Sequence, residues 1–317
     1  MISLPARFSA RLISLAALAA FALLPLSVHA HATGDVHHWW TLDPWVLTPL
    51  SLTGLLYLSG VLLLRHRQHA GIAVRWPTLV SAALGTAVIF FALVWPLDAF
   101  SESSFAAHMA QHMLLIAGAG PLLAAARPGI AITAALATFS PALAKTLAQP
   151  RKWLRIMLLP SVVFAVHGAV IWGWHAPLLF ESALRWEWVH RIEHVSFLIA
   201  GYWYWAVLLR QADAEGGGHA AAALWSLATL MHTGLLGALI TFAPRPLYAT
   251  YVETQGGVAA ALQDQQLAGL LMWVPMAIPY VIGGLAFAAA WMQESERFSV
   301  TDKQTWESDA RPVTPPE

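Results

Sequence analysis

The chain has 317 residues, 58% of them hydrophobic and 11% charged, with 16 tryptophans and a formal net charge of zero. That composition excludes an ordinary soluble domain and describes a polytopic membrane protein; the balanced charge gives no basis for a nucleic-acid partner. The complete lack of cysteine excludes disulfides, thiolate zinc sites, CxxC redox chemistry and cysteine nucleophiles.

Residues 1–30 read as a secretory signal, because Arg7 and Arg11 precede the apolar LISLAALAAFALLPL and Val28 and Ala30 match the small-residue cleavage rule. Cleavage after Ala30 leaves an exported segment, residues 31–44; an uncleaved signal anchor is the alternative and places the downstream residues on the same side. A helix needs about 20 apolar residues to cross about 30 Å of hydrocarbon. Seven later runs qualify: Trp45 to Leu64, Pro77 to Trp95, Phe105 to Ala125, Ile156 to Trp174, Trp188 to Leu209, Ala220 to Ala243, and Leu267 to Trp291. They define an all-α polytopic membrane protein with seven transmembrane helices over residues 45–291, an exported N-terminus and a cytoplasmic C-terminus. Trp45, Trp76, Trp95, Trp174, Trp188 and Trp291 fall near span ends, as an interfacial belt requires.

The stretch IAITAALATFSPALAKTLA is apolar enough for an eighth span but carries Pro141 and Lys145. With seven spans the inner side collects Arg65, Arg67, Arg75, Arg127, Lys145, Arg151, Lys152, Arg155, Arg210, Arg297, Lys303 and Arg311. Only Arg185, Arg191 and Arg245 lie outside. An eighth span would move Arg151, Lys152 and Arg155 outward, so residues 126–155 are expected to form a helix or helical hairpin at the inner surface. DAEGGGHA from Asp213 is a short inner loop, and residues 292–317 read as a polar, disordered cytoplasmic tail.

Lysine and arginine alone set this topology, and the fourteen histidines then fall lopsidedly. His37, His38, His108, His112, His167, His175, His190, His194 and His232 lie outside or in the outer half to the middle of the membrane; His66, His69 and His219 lie inside. His108 with His112, and His190 with His194, are spaced i, i+4, so each pair shares one helix face and can chelate. At about 1.5 Å per residue, His112, His194 and His167 sit about 10 Å below their span ends and His232 about 16 Å. Taken singly, His167 or His232 is equally a helix-to-helix hydrogen-bonding residue, His175 in WGWHAP equally an interface residue, and His37 and His38 polar neighbours of a tryptophan pair.

Met109 and Met113 share the first pair's helix, Met231 adjoins His232 and Met272 lies in the last span. Thioether with imidazole and no thiolate points to copper, Cu(I) above all, although membrane methionines also serve packing. A b-type haem held by histidines of facing helices is the competing cofactor. Asp98, Glu102, Glu187, Glu193 and Asp264 map to the same side; Asp264 and Glu193 are candidates for orienting ligand imidazoles, with Glu193 equally a partner for Arg191. Phosphate loops, nucleophile elbows and zinc-protease motifs are absent, so nothing favours an enzyme, and Gly234 with Gly237 reads as helix packing.

HMAQHMLLIAGAGPLLAAARP, WGWHAP followed by ALRWEWVHRIEHVSFLIAGYWYW, MHTGLLGALITFAPRPLY and DQQLAGLLMWVP together resemble the multi-span CtaG family of cytochrome c oxidase assembly factors, over roughly Trp45 to Trp291. The cysteine-free sequence separates it from the single-span copper chaperones that share the CtaG name. The resemblance implies a role in making a haem-copper oxidase by supplying or inserting copper at the outer face of the bacterial inner membrane. Its partners would be cytochrome c oxidase subunits and a periplasmic copper donor. The N-terminal HATGDVHHWW lies outside the resemblance. The metal ligands expected on these grounds are His108, His112, His190 and His194, joined by His167 and His232 and by Met109 or Met113. A membrane b-type cytochrome and a metal permease are the alternatives; the nearly apolar lower halves of the spans argue against transport.

Overall fold

A computed structural model describes residues 39–67, 71, 74–148, 152–213 and 218–309. The expected signal segment, His37, His38, His69 and the last eight residues lie outside them. Every regular element among the described residues is helical. In chain order these are α1 (Pro44–His66), α2 (Trp76–Leu93), α3 (Leu97–Ser101), α4 (Phe105–Met113), a π-helical segment (Leu114–Ala119), α5 (Gly120–Ala126), α6 (Pro128–Phe139), α7 (Pro141–Ala148), α8 (Lys152–Met157), α9 (Pro160–Trp174), α10 (Pro177–Arg185), α11 (Glu187–Ala212), α12 (His219–Thr241), α13 (Ala249–Thr254), α14 (Val258–Trp273) and α15 (Ala277–Asp309).

Six stretches are long and apolar enough to cross a bilayer: Pro44–His66, Trp76–Ser101, Phe105–Ala126, Glu187–Ala212, His219–Thr241 and Val258–Glu296. α9 and α10, bent by 69° to each other, make a seventh if taken as one broken span. The expected span Ile156 to Trp174 is therefore shorter than a straight crossing helix. Proline is the reason: a residue before proline is pushed out of the α region, and Leu159 before Pro160 and Ala176 before Pro177 are both extended. The last expected span, Leu267 to Trp291, differs in the same way. Its helix starts earlier, at Val258, and breaks after Trp273, around Pro275.

The ambiguous stretch after Arg127 forms two short helices, α6 of 12 residues and α7 of 8, too short for an eighth crossing. α6 packs against α1 where Gly60 meets the Ala131 backbone so closely that a Cβ would sit 1.8 Å from its carbonyl oxygen. The tail also departs from expectation, since α15 runs on to Asp309. Its composition rules out a buried core, but residues 292–309 hold no proline or glycine to stop a helix already under way.

Large apolar side chains such as Leu58, Val195, Ile199, Leu224, Leu235, Ile282 and Leu285 are exposed along the long helices. Patches of this size are a liability in water and the normal covering of a helix in lipid. The interior instead holds small or polar residues where helices meet. α12 and α14 meet at Gly237 and Gly269, where a Cβ on Gly269 would come within 2.7 Å of the Gly237 carbonyl oxygen. Most important for the site, a Cβ on Gly201 of α11 would lie 2.6 Å from the carbonyl oxygen of Ile116, and one on Gly120 would lie 2.8 Å from the Gly201 backbone. α11 thus lies directly on the π segment and the start of α5, with the π turn following the first histidine pair by two residues. π turns insert an extra residue into a helix and frequently sit at functional sites.

Candidate metal centre

α4 begins at a side-chain cap. Ser104 accepts from the Ala107 amide, and Asp264 of α14 accepts from the Phe105 and Ala106 amides at 2.6 and 3.3 Å and from the Ser104 hydroxyl at 3.0 Å. The carboxylate satisfies amides that have no intrahelical partner and complements the positive end of the helix dipole. Nearly two turns further, Gln111 donates to Asp98 at 2.6 Å and to the Ala92 carbonyl at 2.9 Å. These bonds fix the height and rotation of the helix carrying His108 and His112.

α4 and α11 run side by side in the same direction, as the order of their contacts shows: His108 with His190, His112 with His194, Gly120 with Gly201. Ring centroids are 4.4 Å apart for His108 and His112 and 4.2 Å for His190 and His194. Between helices they are 5.0 Å for His108 and His190, 5.9 Å for His108 and His194, and 5.2 Å for His112 and His194. Glu193, fully buried, brings an oxygen to 3.8 Å from Nε2 of His108 and 3.7 Å from Nε2 of His112. Among the described residues, Nε2 of His108, His190 and His194, both ring nitrogens of His112 and both oxygens of Glu193 make no hydrogen bond to another protein group.

Buried polar atoms are ordinarily paired, and leaving them unpaired is costly. A group of acceptors converging on one point is what a cation site requires. In two sets, His108 with His190 and His194, and His108 with His112 and Glu193, one ligand atom per residue lies within 4.8 Å of the others. Bonds of about 2.1 Å separate ligand atoms by at most about 4.2 Å, so small ring rotations close either set.

The surroundings assign the His108 tautomer. Its Nδ1 is 2.9 Å from the Tyr251 hydroxyl, whose hydrogen goes to the Ser101 carbonyl at 3.2 Å. A carbonyl only accepts, so Nδ1 of His108 supplies the other hydrogen and Nε2 presents a lone pair to the cluster. Burial, and then the Glu193 carboxylate, holds the Tyr251 phenol above its ordinary pKa, which keeps it a neutral donor. Tyr248 donates to the His175 carbonyl at 2.9 Å and contacts Phe105 and Phe180, centroids 4.9 and 4.2 Å away. Glu181 of α10 fastens this aromatic cover by accepting from the Thr250 amide and hydroxyl at 3.2 and 2.5 Å.

The structure thus brings together His108, His112, His190, His194 and Glu193. It sets His167 and His232 apart as a second pair, 6.4 Å between rings. Nε2 of His167 meets the Tyr280 hydroxyl at 3.0 Å, and His232 accepts from Trp172 at 3.3 Å. Met109 is buried beside His175, Met113 is buried in the core, Met272 is buried and Met231 is exposed. Asp264 acts on the helix bearing the histidines, not on an imidazole. Glu193 does not pair with Arg191, which binds Glu187, lies 3.3 Å from Asp43 and stacks on Trp45 at 5.3 Å. The sequence reading passed over His175 as interface and missed Tyr248 and Tyr251. His175 is buried, its Nε2 lies 3.3 Å from the Met109 sulfur, and its ring is 6.3 Å from that of His112. Its one available signal was position, four residues after Ile171 at a helix end before a proline; for Tyr251 no local signal exists.

Fold and site together define a multi-helix membrane protein with a buried imidazole and carboxylate cluster suited to a cation. The chain belongs to the cytochrome c oxidase caa3 assembly factor family (Caa3_CtaG), whose model matches residues 55–294, a range that holds every residue of the cluster. It is 23% identical over 278 residues to the uncharacterized protein ML1998 of Mycobacterium leprae, covering 83% of this chain and 41% of that protein. It is also 23% identical over 299 residues to the uncharacterized protein Mb0105 of Mycobacterium bovis, covering 85% and 42%. The chain therefore spans about two fifths of the length of these curated relatives. No solved structure matches it.

Proposed function

We propose that the chain takes up a copper ion in the His108, His112, His190, His194 and Glu193 cluster and supports insertion of copper into a haem-copper cytochrome c oxidase. It would do so at the outer face of a bacterial inner membrane, as a non-catalytic assembly factor. The observation that carries this is the convergence of His190 and His194, and of His112 and Glu193, on His108, with ligand atoms that have no hydrogen-bonding partner among the described residues. Imidazole suits copper, zinc, iron and nickel, and a chain that has methionines but no cysteine favours copper among them. The excess of lysine and arginine on the opposite loops supports an outward-facing site, where oxidase subunits and a periplasmic copper donor would meet it.

The rings touch one another and Phe180 and Phe197, at 4.2 to 5.9 Å between centroids. That contact leaves no slot for a macrocycle among them and favours an ion over a b-type haem. Deeper in the bundle the buried polar side chains include Tyr204, Thr229, Ser226 and Tyr280, with no acidic or basic side chain but histidine buried there among the described residues, which favours delivery at one face over permeation.

The test is made in cells. In a host lacking this chain, the copper content of purified cytochrome c oxidase is expected to fall about tenfold. Wild type restores it, and a His108→Ala, His190→Ala variant present at equal level in the membrane does not. Full restoration by that variant refutes the proposal.

A further inference from the structure

The contact between His175 and Met109 is not a hydrogen bond. Nδ1 of His175 lies 2.6 Å from the Ile171 carbonyl oxygen, which only accepts, so Nδ1 carries the hydrogen and the neutral ring has a bare lone pair on Nε2. That lone pair faces the Met109 sulfur at 3.3 Å, and a thioether has no hydrogen to give. Two acceptors, one fully buried and the other nearly so, point at each other. The other tautomer only moves the conflict, by setting an Nδ1 lone pair 2.6 Å from a carbonyl oxygen.

Both atoms are held in place from outside the contact. Met109 follows His108 on α4, whose start is bound by Asp264. His175 ends α9, and its carbonyl is bound by Tyr248. Beside them is His112, fully buried, both of its ring nitrogens without a protein hydrogen bond and its ring 6.3 Å from that of His175. With bonds of about 2.0 Å to imidazole nitrogen and about 2.3 Å to sulfur, an ion between Nε2 of His175 and the Met109 sulfur would bind both at an angle of about 100°. No rearrangement of the backbone is needed.

We propose that His175 and Met109, with His112 shared from the histidine cluster, form a second, softer coordination position selective for cuprous copper. One thioether and two neutral imidazoles carry no charge, which suits a soft monovalent ion; the four-histidine set with Glu193 suits a harder one. The inference rests on the copper reading above and adds the oxidation state and a sulfur ligand to it. It makes His112 the residue common to both positions.

The test is copper-edge X-ray absorption on the full chain in detergent, loaded with Cu(I) anaerobically. The expected result is a nitrogen shell plus one sulfur scatterer. Met109→Leu removes the sulfur and lowers Cu(I) affinity at least tenfold, whereas Met113→Leu leaves both unchanged. Selenomethionine-labelled protein, which keeps every side chain, should show selenium in place of sulfur at copper. Copper bound by nitrogen and oxygen alone in the unsubstituted protein overturns the second position and leaves the histidine cluster standing. Failure of the wild-type chain to bind copper in either oxidation state overturns both.

Discussion

Glu193→Gln is expected to act in opposite directions with and without metal. Among the described residues the carboxylate has no lysine or arginine within ion-pair distance and no hydrogen-bonding partner, and an uncompensated buried carboxylate costs several kcal/mol even after relaxation. The neutral amide removes that cost, so the metal-free variant should unfold at a higher temperature than wild type, by several degrees. The same change takes away the one negative charge facing His108 and His112. Copper affinity should therefore fall at least tenfold, about 1.4 kcal/mol, and copper should raise the melting temperature less than in wild type. Thermal unfolding with and without copper, together with competitive titration, reads both effects. A less stable metal-free variant that keeps full copper affinity would show that Glu193 is a packing residue.

Gly201→Val should disable the site from about 10 Å along the helix. Its Cβ would come 2.6 Å from the Ile116 carbonyl oxygen and 2.9 Å from the Ile116 Cα, and backbone cannot yield as a side-chain tip can. α11 must then move away from the π segment, costing about 1–3 kcal/mol as overpacking does. Because that crossing sets the spacing of the two histidine pairs, copper affinity should drop along with stability. Gly173→Ala, at a helical glycine whose added Cβ meets nothing within 4 Å, is the control and should leave both near wild type. Equal effects of the two substitutions would contradict the role given to the crossing.

The reach of the sequence has a physical limit that particular residues show. The histidine pairs were legible because i, i+4 spacing is a local property of a helix, and the apolar spans because hydrocarbon thickness sets a length. Residue counting assigns His167 a depth similar to that of His112, but depth is one coordinate of three, and α9 turns His167 toward Tyr280 and His232. Contacts made across the bundle left no trace: Tyr251 reaches His108 from 143 positions away, and Asp264 caps a helix 159 positions before it. The bounds of two spans differ from expectation where proline breaks the helix, at Pro160 and Pro275, because counting apolar residues ignores the backbone geometry that proline imposes.

Metal and haem analysis of the detergent-purified chain, wild type beside a His112→Ala, His194→Ala variant, tests the central claim most directly. The account predicts near-stoichiometric copper in wild type after loading, no Soret band, and loss of most of that copper in the variant at unchanged helical content. A Soret band, or copper retained in full by the variant, would contradict it.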